Sequence, residues 1–159
     1  MKNNLSGSHA GTLSRGNAAL RIATNNTAAI DVVNKLSYVI DGVFFAVAVT
    51  NNIALTAGST PLVNNQAAVY ALWANNTGVF STTQGAVVSS LDVEQGKMAL
   101  PLPDLVANKA LIALIKVKAG VATTFTPGTT AFTATNINTT FVHVGLPPVK
   151  PFTDTVTAA

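Results

Sequence analysis

Turn-forming residues recur about every 8–12 residues along most of this chain, between short runs of β-branched and aromatic residues. The clearest example is Asp41-Gly42, which separates Leu36–Ile40 from Val43–Val49. Asp-Gly between two β-rich runs is the strongest short-range hairpin signal, because both residues tolerate positive φ. The pattern predicts an all-β fold, an antiparallel β-sandwich or barrel.

Later segments repeat the alternation of strand and turn. We expect 67–73 to be a central strand, 75–78 to be a turn and 79–83 to be the returning strand. The most apolar run, 110–118, is expected to be a strand that leaves the core, because it ends in alternating apolar and lysine residues. The last strand is expected at 139–144.

The ends of the chain differ from this pattern. Residues 1–28 are rich in small and polar residues without a sustained period, and they predict an extended N-terminal arm ahead of a β-rich body at 29–145. Three prolines in 146–159 predict an extended C-terminal tail. Short helices are expected at Asn17–Ile22 and, because aspartate suits an N-cap, from Asp104 through Lys109.

Charged residues are scarce, at 9 % of the chain, where an average domain has about 25 %. Lysine, glutamate and arginine normally keep a protein surface soluble. A surface of threonine, alanine, valine and asparagine can be removed from water without isolating charges. The composition therefore favours a subunit packed into an assembly over a weakly charged monomer.

The net charge of +3 lies at the N-terminus, since Lys2, Arg15 and Arg21 are accompanied by no acidic residue before Asp31. The remaining lysines and acids balance, six against six. Such a segment suits an acidic protein surface or nucleic acid. Three charges without interleaved aromatic residues are too few for the usual basic stripe of a nucleic-acid site, so we expect a protein partner.

No arrangement of residues indicates catalysis. The chain has no cysteine, and His9 and His143 lie at no recognisable spacing from a serine or aspartate. Asp92 and Glu94 fit a weak cation site, although a solvated turn is favoured. We therefore expect no enzyme, cofactor or metal. No apolar run approaches the roughly 20 residues of a membrane-spanning helix, so no membrane contact is expected.

The aromatic residues allow two interpretations. A carbohydrate-binding face could be lined by Trp73, Tyr70, Phe80, Phe44 and Phe45. A simpler interpretation makes core or cross-strand pairs of Tyr38, Phe44, Tyr70 and Phe80. Adjacent Phe44 and Phe45 point to opposite faces of their strand, so one belongs to the core and the other is available for an interface.

Two stretches carry a resemblance to a known family. Residues 37–45 with 52–56, and residues 114–117 with 124–130, are similar to small virion structural proteins of tailed bacteriophages. The resemblance covers about 35–145 and leaves out the arm and the tail. It implies a non-enzymatic capsid decoration (cement) protein without cofactors, which stabilises the shell where capsomers meet.

The resemblance also implies partners and a location. They are the major capsid protein and further copies of the chain, a trimer being the expected homo-oligomer, on the outer capsid surface of a virion assembled in the bacterial cytoplasm. The alternative is a neck, tail or fibre-associated virion protein whose β module binds a receptor or carbohydrate. The candidate partner-binding residues are Lys2, Leu13, Arg15, Leu20, Arg21, Ile22 and Phe45.

Overall fold

The Asp41-Gly42 turn forms as the sequence predicts, in a computed structural model that describes residues 13–55 and 59–144. Asp41 (φ 50°) and Gly42 (φ 82°) both have positive φ, as a two-residue hairpin turn requires. Ile40 and Val43 face each other across the antiparallel pair that the turn connects. The predicted hairpin is therefore confirmed.

Strands account for 49 % of the described residues and helix for 4 %, which confirms the all-β class. The described residues form thirteen strands and one short helix. The strands and the helix are, in chain order, β1 (Leu13–Arg15), β2 (Leu20–Ile22), β3 (Ala29–Val32), β4 (Leu36–Ile40), β5 (Val43–Val47), β6 (Thr50–Ala54), β7 (Leu62–Val63), β8 (Gln66–Asn75), β9 (Phe80–Gln84), β10 (Val88–Ser89), α1 (Ser90–Glu94), β11 (Lys109–Ala119), β12 (Thr124–Phe125) and β13 (Ile137–His143).

The strands form four sheets whose pairs are all antiparallel. The largest has five strands, with the order β10-β8-β11-β13 and with β9 also paired to β8. Two three-stranded sheets have the orders β1-β4-β5 and β2-β3-β6, and β7 pairs with β12. Strand β8 contains the predicted central strand, β11 contains the predicted apolar strand at 110–118, and β13 overlaps the predicted last strand.

One hydrophobic core joins these sheets. Alternate residues of β8 and β11, among them Tyr70, Leu72 and Ile115, share it with Ile30 and Leu36 of the smaller sheets. Each fully buried side chain of this size stabilises the fold by about 1.5–3 kcal/mol. Packing of the five-stranded sheet against the smaller sheets gives the sandwich-like arrangement that the sequence predicts.

Residues 13–28 belong to the body rather than to an arm. Strand β1 pairs with β4, and β2 pairs with β3, so that Leu20 faces Val32 and is buried in the core. The predicted boundary at residue 28 and the predicted helix at 17–22 are both wrong, because strand pairing with residues downstream outweighs weak local propensity. Residues 1–12 of the predicted arm and the predicted tail lie outside the described residues.

The helix also differs from its predicted position. It begins after Ser89, whose hydroxyl accepts a hydrogen bond from the backbone N–H of Asp92 at 3.4 Å. No helix follows Asp104, and Lys109 already starts β11 opposite Asn75. The predicted helix at 104–109 is wrong because the preference of aspartate for an N-cap is a weak local effect. Pairing with β8 gives β11 a long ladder of backbone hydrogen bonds.

Several turns place an asparagine in the left-handed region. Asn52, Asn65, Asn108 and Asn136 have φ between 58° and 63°. Asparagine enters this region more readily than other residues except glycine, because its short amide bonds with the local backbone. Asn65 lies in the turn between β7 and β8, whereas Asn52 lies within β6 where its pairing with β3 shifts in register.

Candidate functional site

The most unusual surface lies over the second face of the five-stranded sheet. Alternate β8 residues that point away from the core, including Val69 and Ala71, are nevertheless buried, and Trp73 is only 1 % exposed. The segment 90–108, which we call the cover segment, contacts this sheet at both of its ends. Its α1 end pairs Glu94 with Lys118 on the neighbouring β11.

A close backbone approach fixes the other end of the cover segment. Gly85 follows β9 directly, and its N–H donates to the carbonyl of Val69 at 2.7 Å. A Cβ atom at Gly85 would lie 2.8 Å from the carbonyl oxygen of Pro101 and 3.1 Å from the nitrogen of Pro103. Glycine is required here by space, and the contact holds the Pro101–Pro103 stretch against the sheet.

The cover segment exposes large apolar side chains on its outer side. Leu102, between the two prolines, is 64 % exposed. Three further apolar side chains of the segment are exposed by 43–60 %, namely Leu91, Met98 and Leu105. These four exposed side chains, all in one connection, are the candidate apolar contacts of this surface.

Most charged groups of the cover segment are paired. The Lys97 ammonium lies 3.7 Å from the Asp92 carboxylate, and Lys118 neutralises Glu94. Asp104 is the remaining acid of the segment. Covering this surface therefore isolates few charges, which lowers the desolvation cost of an interface.

The basic residue Arg21 forms a second, polar site. Its Nε donates to the Asp31 carboxylate at 3.2 Å, and Asp31 also accepts from the backbone N–H of Asn52 at 3.0 Å. The Arg21 side chain is 56 % exposed, whereas that of Asp31 is buried. The pocket they share holds about 120 Å³ and is otherwise lined by Thr24 and three asparagines. It contains one guanidinium–carboxylate ion pair among neutral polar groups, and the guanidinium is the exposed member of that pair.

The other predicted partner-binding residues do not gather in one place. Leu20 is buried in the core and Ile22 packs partly against it, so neither forms an outer contact. Leu13 and Arg15 lie in β1 opposite Val39 and Ser37. The remaining N-terminal candidate, Lys2, lies outside the described residues.

The hairpin β4–β5 separates its two phenylalanines as expected. Phe45 stacks on Tyr38, with ring centroids 5.9 Å apart, and packs against the core. Phe44 is 66 % exposed, so the outward aromatic of this strand is Phe44 rather than the predicted Phe45. Phe45 still lines one wall of a cleft of about 300 Å³, which we call the hairpin cleft; its other lining residues are Ile40, Asp41, Val43, Asn76 and Asn108.

The carbohydrate-binding interpretation loses its central residue. The Trp73 indole is buried, and its Nε1–H donates to the Thr83 hydroxyl at 2.8 Å. Tyr70 is equally buried and accepts a hydrogen bond from the Gln84 amide at 2.9 Å. The predicted exposed face around Trp73 is therefore wrong, and these rings are part of the packing, the other reading of the sequence.

The remaining chemical candidates are also accounted for. Asp92 and Glu94 lie on α1 and each pairs with a lysine, so the two carboxylates do not form the strand site considered above. Within residues 13–55 and 59–144, no three histidine or acidic side chains come together as a metal site. His143 is half-buried on β13, and burial lowers its pKa.

Comparisons with family models, curated proteins and solved structures find no match for this chain. Among the described residues, no helix has the length and apolar character needed to cross a membrane. The surface therefore has to be interpreted from its own geometry.

Sequence reasoning missed the cover segment, although a signal for it exists. Leu102 stands between Pro101 and Pro103, and Leu105 follows shortly after. Leucines next to prolines in an expected loop are poorly placed for a strand core. The pattern could have indicated exposed apolar residues held on an extended connection.

Proposed function

We propose that this protein is a non-enzymatic structural subunit that binds and stabilises the capsid shell of a tailed bacteriophage as a decoration protein. The observation that carries the proposal is the outer side of the cover segment, where four large apolar side chains are exposed and most nearby charges are paired. This surface suits a permanent protein contact, because burying it gains apolar area without isolating ions.

The family resemblance supplies the kind of assembly. It places the protein on the outer surface of the virion with the major capsid protein and further copies of itself as partners. The exposed Arg21, held by Asp31, adds a cation that suits an acidic patch on the shell. Many modest contacts of this type, repeated around a symmetric particle, stabilise it together.

The test compares one leucine and one valine that are equally exposed, both in the full-length chain. Leu102 on the cover segment and Val121, just after β11, are each 64 % exposed. Leu102→Asp should weaken binding to decoration-free heads of the encoding phage by about tenfold or more, since it replaces an apolar contact with a charge. Val121→Asp should bind as the wild type does.

Co-sedimentation with the heads measures both variants, and thermal denaturation checks that each is folded. Equal binding by Leu102→Asp and the wild type would remove the cover segment from the interface. A density map of the intact virion should show the chain on the outer shell. If the map places it in the neck or tail instead, the alternative virion role replaces the decoration role.

The self-association in the proposal has its own test. Sedimentation of the purified chain should reveal a homo-oligomer, with a trimer as the expected state. A chain that remains a lone molecule at high concentration, and that has no affinity for any phage shell, would overturn the proposal.

A further inference from the structure

Strand β13 has an outer edge that no other described strand covers. Within residues 13–55 and 59–144, β13 pairs with β11 alone and forms one end of the five-stranded sheet. All seven of its residues pair with β11 in continuous register, without the shift that interrupts the pairing of β11 with β8. An edge of this regularity offers a complete row of backbone donors and acceptors to a further strand.

Two backbone hydrogen bonds show which groups of β13 face outward. At one end of the ladder, the N–H of Val144 donates to the carbonyl of Ile112 at 3.2 Å. At the other end, the N–H of Gly120 donates to the carbonyl of Asn136 at 2.8 Å. Backbone groups alternate in direction along an antiparallel strand, so the even-numbered residues of β13 point to β11. The residues whose backbone groups point outward are Ile137, Thr139, Phe141 and His143.

Strand β13 lacks the features that usually protect an edge strand from pairing. Such strands are commonly shielded by charged side chains, by proline or by a bulge. The sequence of β13 is Ile-Asn-Thr-Thr-Phe-Val-His, which contains no lysine, acidic residue or proline, and its pairing has no bulge. Burial lowers the pKa of His143, so this residue is neutral at pH 7. β-branched and aromatic residues dominate the strand and favour further pairing.

A second copy of the chain fits this edge without any adjustment. A two-fold axis through Thr140 sets the two β13 strands antiparallel and overlaps all seven residues. The outward backbone groups then meet, because Thr139 lies opposite the second copy's Phe141 and Ile137 lies opposite its His143. A strand of another protein would need a matching length and an uncharged sequence, whereas a second copy has both by identity.

The charges near the axis permit this arrangement. The exposed cation beside the axis is Lys116, which lies opposite Thr140 on β11. In the pair of chains, the two Lys116 strands are three strand spacings apart, about 14 Å. That separation exceeds the screening length of about 8 Å at physiological salt, so their repulsion is weak. Lys118 is paired with Glu94.

We propose that β13 pairs with β13 of a second copy about this axis and joins two five-stranded sheets into one continuous sheet. The proposal goes beyond the capsid role and uses a surface separate from the cover segment. A two-fold contact makes pairs of chains, whereas the trimer that the resemblance implies needs a threefold contact elsewhere. The two contacts are therefore measured independently.

Single cysteines on the exposed face of β13 test the pairing and its register, because the natural chain contains none. Thr140 meets its own copy as a non-hydrogen-bonded pair with Cα atoms about 4.5 Å apart, a separation that a disulfide can span. Mild oxidation of full-length Thr140→Cys should therefore give covalent dimers. The matched control is Asn138→Cys, on the same exposed face. Its two copies would lie about 13 Å apart along the strands, so it should form dimers about tenfold more slowly or worse.

A mixture of variants completes the register test. Asn138 and the second copy's Val142 face each other in the proposed pairing, so Asn138→Cys mixed with Val142→Cys should form disulfide heterodimers faster than either variant forms homodimers. Equal rates of dimer formation by Thr140→Cys and Asn138→Cys would overturn the proposal. A wild-type trimer without the Thr140→Cys cross-link would also overturn it and would leave the trimer in place.

A proline at Thr139 gives a second measurement that needs no cysteine. The Thr139 N–H points outward, and its buried hydroxyl has no hydrogen-bond partner among the described residues, so Thr139→Pro removes no bond of the ladder with β11. Sedimentation of the wild type should show pairs of chains that this variant loses, and thermal denaturation checks its fold. Unchanged association would overturn the proposal. A wild type that stays single in solution, and that loses head binding in Thr139→Pro, would place a shell strand on the edge and also overturn it. The cysteine variants decide the question if the proline variant does not fold.

Discussion

Substituting Gly85 by alanine tests the placement of the cover segment directly. The new methyl group would lie 2.8 Å from the Pro101 carbonyl oxygen, whereas ordinary contacts begin near 3.4 Å. The Pro101–Pro103 backbone therefore has to move by several tenths of an ångström. Backbone shifts forced by an added methyl group typically cost about 1–3 kcal/mol. For a domain of this size each kcal/mol lowers the thermal midpoint by about 2–4 °C.

Tryptophan fluorescence offers a second measurement of the movement of the Pro101–Pro103 backbone. Trp73 is the only tryptophan in the chain, and it is buried on the same sheet face as Val69, whose carbonyl accepts from Gly85. In Gly85→Ala, displacement of the cover segment should admit water to this face and move the Trp73 emission to longer wavelength. If the proposed shell contact is made by Leu102, shell binding should weaken as well, since the proline stretch that carries it moves.

Gly96→Ala is the matched control. A Cβ atom at Gly96 meets nothing within 4 Å, although its φ of +69° makes alanine unfavourable. That substitution should cost about 1 kcal/mol through the backbone alone and leave the Trp73 emission unchanged. If Gly85→Ala has wild-type stability and wild-type emission, the cover segment does not lie where the contacts place it.

Two further predictions concern buried polar groups near the same strand. Thr83→Val removes the acceptor of the Trp73 indole N–H and should cost about 1–3 kcal/mol in chemical denaturation, whereas adding Thr83→Val to Trp73→Phe should cost clearly less, because the donor is then absent. Burial raises the pKa of the Tyr70 phenol, so the unfolded chain releases its proton first as the pH rises past 10, and stability should fall there. Urea midpoints measured between pH 9 and pH 11 should fall more steeply for the wild type than for Tyr70→Phe, and equal slopes would contradict this reasoning.

Sequence patterns of a few residues were sufficient to predict the turns and strands that depend mainly on neighbouring residues. The Asp41-Gly42 turn depends on positive φ at adjacent positions, which those two residue types supply. The long apolar runs likewise identified β8 as a central strand and β11 as a strand before their partners were known. These features fix the all-β class, because each is encoded within about ten residues.

Features that depend on distant pairing were not predictable in the same way. Strand β2 has only three residues, and Leu20 is placed by its pairing with Val32 rather than by a pattern of its own. Burial of Trp73 depends on contacts across the fold. A hint did exist, since the run from Ala67 to Ala74 is apolar at every position, as is typical of strands covered on both faces.

The left-handed asparagines have a consequence for how such a chain tolerates its environment. Asn65, Asn108 and Asn136 each redirect the backbone at a turn with a side chain that never ionises. The backbone at these three turns is therefore specified by groups indifferent to pH and salt. A protein with such turns can bury most of its surface against other molecules with few charged groups to desolvate, and its turns remain specified by its own sequence.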